Sequence, residues 1–188
     1  LRSYGYYFSD IQIEIENLTD NKININYIFD LGEKSKIRKI TFLGNKIFKD
    51  KKLKSVIVSE EYKFWKFISG KKYLNEALIS YDKNLLKNFY LNKGYYNVQI
   101  NSSFSKIIKN NEFELIYNID AGQKIYFNEF KLNLPIDFDI NNYDEINNLF
   151  SDLKGKYYSL HHVEKILNKI ETITINEQYE SIDAKIEE

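Results

Sequence analysis

Few side chains in this sequence are of the kinds that do chemistry, and their spacing argues against it. The two histidines, His161 and His162, are adjacent. Neighbours on a helix point about 100° apart, whereas a two-histidine metal site on one helix uses positions i and i+4. The pair therefore reads as a solvated first turn. Asp82 lies among apolar helical positions, but a lone carboxylate lacks a partner for acid–base work, so a surface or helix-contact role is expected. Glu14, Glu16, Glu112 and Glu114 fall on the polar faces of strands, where solvation accounts for them. The seven glycines stand singly at turns and helix ends, so no loop is built to cradle a phosphate. The absence of cysteine excludes disulfides and thiolate metal sites, and leaves cytosol and periplasm equally open. No catalytic, metal or cofactor site is expected, and the chain does not read as an enzyme.

Composition narrows the alternatives. Lysine plus arginine equals aspartate plus glutamate at 27 each, so the formal charge is zero and nucleic acid loses its simplest support as a partner. No run approaches the roughly 18 apolar residues of a membrane-crossing helix. With 16 tyrosines and 13 phenylalanines, much of any core must be aromatic.

The elements are organised around residues 85–120. Leu85, Leu86 and Phe89 are spaced as a helix, and Gly94 follows where a helix end needs a left-handed residue. From Tyr96 apolar residues alternate with polar ones, Tyr96, Val98 and Ile100 against Asn97, Gln99 and Asn101, as in a half-buried strand. Phe113, Leu115, Tyr117 and Ile119 mark a second strand. The loop of about eight residues expected between them suits antiparallel neighbours. The same pattern opens the chain: Gly5 and Gly94 are 89 residues apart, Gly32 and Gly122 are 90 apart, and Ile11, Ile13 and Ile15 face Ile23, Ile25, Tyr27 and Phe29. A third copy starts after Gly122, so the chain is an array of repeats holding one complete unit.

That unit runs as follows. Ile37–Leu43 is a first strand and Gly44–Asn45 a turn; Asn45 precedes a short helix capped by Asp50 that buries Leu53, Val56 and Ile57. Residues 60–72 interrupt with Tyr62, Phe64, Trp65 and Phe67, either as cover for the helix pair or a brace on the adjacent unit, or as an exposed partner-docking patch. A longer helix follows, capped by Asn75, with Leu78, Tyr81, Leu85 and Phe89 toward the sheet. The order is β-α-α-β-β. In the third copy a strand is expected over Ile125–Leu134, ended by Pro135. A helix with Ile146, Leu149, Phe150 and Leu153 comes next, then a helix with Val163, Ile166, Leu167 and Ile170 capped by Ser159. Ser181–Glu188 is expected to be a strand, with Gln178 standing where a glycine precedes the tyrosine in the other copies.

Taken together, the Gly44–Asn45 turn with Phe48 and Leu53, the Phe89–Tyr90–Leu91 and Gly94–Tyr95 helix exit, and the Asp120–Gly122 strand end resemble POTRA domains of the outer-membrane β-barrel assembly family. The aromatic insertion with Tyr73 resembles the third of that family's five units. The resemblance implies an α+β fold of tandem repeats, each a three-stranded mixed sheet covered on one face by two antiparallel helices. Residues 1–33 would end the second domain, 34–122 would be the third and 123–188 most of the fourth. It implies a periplasmic location, a membrane barrel outside this sequence, and as partners unfolded outer-membrane protein segments, accessory lipoproteins and periplasmic chaperones. It also implies that the first strand pairs with 111–120, leaving the other side of the strand Tyr95–Phe104 open, with Tyr95, Tyr96, Asn97, Val98, Gln99, Ile100 and Asn101 as the edge for client strands. Gly32, Ser35, Gly122 and Gln123 are the expected hinges. The competing reading is a structural spacer, or the POTRA region of a related two-partner-secretion or translocation transporter, that binds no client strand.

Overall fold

The structure is a computed structural model that describes residues 1–65, 69–107, 111–136 and 138–177. Phe67, Gln178 and the strand expected over 181–188 lie outside the described residues. The chain divides into two compact units, one of residues 1–87 with 99–120, the other of 88–98 with 121–188.

The first unit opens with an antiparallel hairpin, β1 (Asp10–Asn17) and β2 (Ile23–Asp30), turned through positive φ at Asp20 and Asn21, residue types that tolerate it. Ile11 lies opposite Phe29, Ile13 opposite Tyr27 and Ile15 opposite Ile25, the parity read from the sequence. Every position of both strands is exposed.

The complete repeat follows as β3 (Lys36–Asn45), α1 (Asp50–Lys54), α2 (Glu76–Leu91), β4 (Gln99–Ile107) and β5 (Glu112–Asp120). The sheet order is β3-β5-β4, parallel between β3 and β5 and antiparallel between β4 and β5. This is the mixed three-stranded sheet with helices that the resemblance implied. Phe113, Leu115, Tyr117 and Ile119 of the central strand are all buried. On β3 an irregularity between Ile37 and Lys39 lets Ile37, Ile40 and Phe42 all face the core although they are unevenly spaced. Gly44 belongs to the last pairs of this strand: at φ 85°, a Cβ there would stand 2.5 Å from the Ile119 carbonyl oxygen. Fewer residues separate the two strands than the roughly eight expected, because β4 runs past Phe104 to Ile107 and β5 begins at Glu112.

Two helix readings need correction. Asp50 is the first helical residue of α1, with Lys49 at the N-cap, and its carboxylate is held by Lys46. Leu53 is buried; Val56 and Ile57 are half-buried and lie past the helix end. In α2, Asn75 does cap, accepting from the Leu78 N–H at 3.1 Å. The buried face, however, is Ile79, Asp82 and Leu86, with Tyr90 in the last turn, while Leu78, Leu85 and Phe89 are half-buried and Tyr81 is 53% exposed. An apolar count rotates the helix away from Asp82, which is fully buried. Its carboxylate accepts from the Tyr117 hydroxyl at 2.7 Å, the Val58 N–H at 2.6 Å and the Ser59 N–H at 3.2 Å. The expected surface or helix-contact role is thus replaced by a lock between α2, the central strand and the segment after α1.

The second unit holds α3 (Asp144–Leu153) and α4 (Leu160–Asn176). Tyr143, Ile146, Leu153 and Ile166 form its core, with Phe130 stacked on Phe150 at 4.8 Å. Both helices bury the faces read from the sequence. The strand expected over 125–134 forms no ladder among the described residues; its one bridge is Tyr126 with Tyr157. Ser159 is the N-cap residue of α4, yet its side chain caps nothing. Asn92 supplies the acceptor, taking the His161 N–H at 2.7 Å and the Ser159 hydroxyl at 3.0 Å.

Candidate strand-binding edge

Two strands of the complete repeat are edges, and they differ. The outer side of β3 is covered: the Tyr62 N–H donates to the Ile37 carbonyl at 2.6 Å, the Ile40 N–H donates to Glu61 Oε1 at 3.0 Å, and Lys36 bridges to Tyr73. Glu61 is well suited to this. Burial pushes its carboxyl up, but the Lys54 and Ile40 hydrogen bonds and the Lys54 and Lys63 charges outweigh it and hold the group below its usual range. The outer side of β4 pairs with no strand among the described residues. An uncovered edge presents alternate N–H and C=O groups to any extended chain that arrives.

Beside β4 lies a cleft of about 260 Å³ between the strand and α2, lined by Ser102, Ser103 and Phe104 of the strand, by Glu76, Ile79, Ser80 and Lys83 of the helix, and by Leu115 and Tyr7. Tyr7 closes one end, its ring 4.9 Å from Phe104 and its hydroxyl donating to Glu76 at 2.7 Å. Partial burial and then that carboxylate raise the Tyr7 phenol above its ordinary value, so it stays a donor. Phe8 stacks on Phe113 at 5.2 Å. The cleft is thus apolar at the floor, with a cation at Lys83 and a carboxylate at Glu76.

The seven residues expected on the edge are only partly there. Gln99, Ile100 and Asn101 begin β4, with Gln99 and Asn101 exposed. Tyr95, Tyr96, Asn97 and Val98 instead form a turn after α2: the Val98 N–H returns to the Tyr95 carbonyl at 3.3 Å, Val98 is buried, and the Tyr96 ring lies 5.0 Å from Tyr158. Alternation of residue types began one turn before the ladder did. Ser102, Ser103 and Phe104 lie on the strand as expected, Phe104 continuing the even-numbered apolar positions through the serines, and β4 runs on to Ile107.

The aromatic cluster also divides. Tyr62 belongs to the cover over β3, with Lys36 and Lys72 above its ring at 5.3 and 5.2 Å. Phe64 and Trp65 point outward, 77% and 56% exposed and edge to face at 4.7 Å. Of the expected hinges, Gly32 and Gln123 are exposed and Gly122 half-buried, the two glycines at φ 56° and 64°. Ser35 is fully buried and bonded through both backbone groups, to Gly5 and to Leu74.

No cluster of three or more metal-ligating side chains occurs among the described residues. His161 and His162 are 6.0 Å apart, ring to ring. Partial burial, then the charges of His161, Lys156 and Lys165, lower His162 below its ordinary value. Of the strand glutamates, Glu112 pairs with Arg38 at 3.7 Å and Glu114 with Lys39 at 2.9 Å, and Glu16 accepts from Asn24 at 3.1 Å.

The POTRA family model, described as a surface antigen variable number repeat, matches residues 35–122, the segment that carries this sheet and its two helices. Residues 35–122 are a POTRA domain. The chain is 25% identical over 155 residues to the outer membrane protein assembly factor BamA of Buchnera aphidicola, covering 80% of this chain and 24% of that protein. It is 30% identical over 93 residues to BamA of Neisseria meningitidis, covering 48% of this chain and 12% of the relative. The chain therefore spans a quarter or less of these relatives. Among solved structures, POTRA domains 3–5 of Haemophilus influenzae BamA superpose with a TM-score of 0.60 at 14% identity, over 97% of this chain and 67% of that one, a likeness of fold. POTRA domains of the BamA type are periplasmic parts of an outer-membrane protein, and the chain is placed there with them. None of its described helices is long and apolar enough to cross a membrane.

Proposed function

We propose that this chain is part of the periplasmic region of an outer-membrane protein assembly factor, and that its complete POTRA domain takes up extended segments of unfolded outer-membrane proteins along β4. The observation that carries the reading is the asymmetry of the sheet: β3 is sealed by the insertion, whereas β4 lies open beside the α2 cleft. The reading also divides the chain into repeats of 1–33, 34–122 and 123–188, and takes the exposed Phe64–Trp65 pair as a surface for accessory lipoproteins or chaperones. Only the relatives' names carry assembly as an activity, so it is an inference for this chain.

The edge chemistry sets the strength of binding. About four backbone hydrogen bonds at roughly 0.5–1.5 kcal/mol each stand against an association cost of at least about 4 kcal/mol. The difference is at most about 2 kcal/mol, short of the roughly 4 kcal/mol of millimolar binding, so side chains seated in the α2 cleft must supply the rest for a site to bind in the millimolar to high-micromolar range, and several repeats acting together raise the affinity. Photo-crosslinking amino acids placed at Asn101 and Ser103 of the full-length protein, in cells of its own kind, should capture unfolded outer-membrane proteins, and one at Lys39 should not. Equal capture at all three positions, or none at β4, contradicts the reading.

A further inference from the structure

The sequence repeat is also a repeat of contacts at the places where one repeat hands over to the next. Gly5 and Gly94 have φ of 89° and 93°. Each gives its carbonyl oxygen to the N–H that opens the following repeat, Ser35 at 2.8 Å and Ile125 at 2.8 Å. The carbonyls of Ser35 and Ile125 in turn accept from Leu74 at 2.8 Å and Tyr158 at 3.0 Å. Lys36 bridges to Tyr73 as Tyr126 bridges to Tyr157.

A lysine stands in the middle of each arrangement. Lys34 Nζ is 5.2 Å from the ring centre of Tyr6 and 5.2 Å from that of Tyr73. Lys124 Nζ is 5.9 Å from Tyr95 and 4.3 Å from Tyr157. Tyr6 and Tyr95 each follow the exit glycine, and Tyr73 and Tyr157 each stand two residues before the N-terminal cap of the next long helix. The lysine thus lies against one ring from the outgoing repeat and one from the incoming repeat. Both glycines make room: a Cβ would be 2.8 Å from Tyr73 Cβ at Gly5, and 2.9 Å from Lys124 Cγ at Gly94.

We propose that Lys34 and Lys124 are latches, each holding two successive repeats at a set angle by lying between their tyrosine rings. A cation held by two ring faces ties the two repeats together electrostatically while its ammonium stays near water. The proposal rests on the division into repeats and not on strand binding at β4, so either can fail alone.

The chain has no cysteine, so paired cysteines at exposed positions can carry spin labels cleanly. Glu14→Cys with Lys87→Cys reports on the first junction and Asn88→Cys with Glu171→Cys on the second, each pair lying within one compact unit. Lys34→Met and Lys124→Met keep the stem and remove the charge. Losing two exposed ring contacts should raise the unlatched population about 5- to 30-fold, the equivalent of about 1–2 kcal/mol. It should appear as a second, broader component in the distance distribution of the junction whose lysine was changed, with Lys→Arg restoring the wild-type distribution. Circular dichroism verifies the fold. If a methionine variant failed to fold, Tyr157→Leu or Tyr6→Leu would carry the test and must broaden the same distribution. Distributions unchanged in the folded variants would overturn the proposal.

Discussion

Replacing Asp82 with alanine strips one carboxylate from three donors: the buried Tyr117 hydroxyl at 2.7 Å, the buried Ser59 N–H at 3.2 Å and the half-buried Val58 N–H at 2.6 Å. Tyr117 cannot escape by ionising, since burial, the largest cause of its raised phenol, persists when Asp82 is gone. Each buried donor left unsatisfied costs about 1–3 kcal/mol, and the three are coupled, so D82A should lose about 3–5 kcal/mol. A domain of this size is stable by only about 5–15 kcal/mol, so the loss is a large fraction of the total. D82N keeps the shape but brings an NH2 group against donors, and should lose about 1.5–3 kcal/mol. Urea unfolding of the full chain followed by tyrosine and tryptophan fluorescence measures both. A double-mutant cycle with Y117F should return a coupling of about 1–3 kcal/mol. A D82A loss below about 1 kcal/mol, or a D82L variant as stable as wild type, would refute the lock.

The remaining expectations concern single positions. Leu86→Ala should cost about 2–5 kcal/mol through lost burial and a cavity, while Leu85→Ala, half-buried, should cost under about 1 kcal/mol; equal losses would restore the helix phase read from apolar spacing. Gly44→Ala should destabilise by more than about 1 kcal/mol, because the φ of 85° and the Ile119 carbonyl both oppose a side chain; a neutral result in thermal unfolding would contradict the close approach. His162 is depressed in the folded state, so as pH falls below its unfolded value of about 6.5 the unfolded chain gains a proton first and stability drops. His162→Gln should remove that slope from unfolding midpoints taken between about pH 7.5 and 5.5, and an unchanged slope would move its origin elsewhere.

The repeat was legible because its punctuation is steric. Gly5 and Gly94, like Gly32 and Gly122, take matching positive φ, a demand few other residues meet. The central strand was legible because Phe113, Leu115, Tyr117 and Ile119 alternate without interruption. The phase of α2 was not, because Asp82 is a polar residue whose burial depends on Tyr117, Val58 and Ser59, partners far away in sequence. The start of β4 was misplaced for a related reason, since Tyr96 and Val98 keep the period of two through a turn. That Asn92, and not Ser159, would cap α4 lay likewise in a long-range contact. Local patterns report on local geometry, while burial of polar groups is decided by what the chain brings from elsewhere.

Extended chains are proposed to add along the open edge of β4. Titrating an extended β-forming peptide, up to millimolar concentration, into the 15N-labelled protein tests this most directly. The account predicts amide shifts concentrated on Gln99–Phe104 and on the cleft residues Ile79, Ser80 and Lys83, with little change along β3, which the insertion seals. No shifts at millimolar peptide, or shifts confined to Phe64 and Trp65, would contradict it.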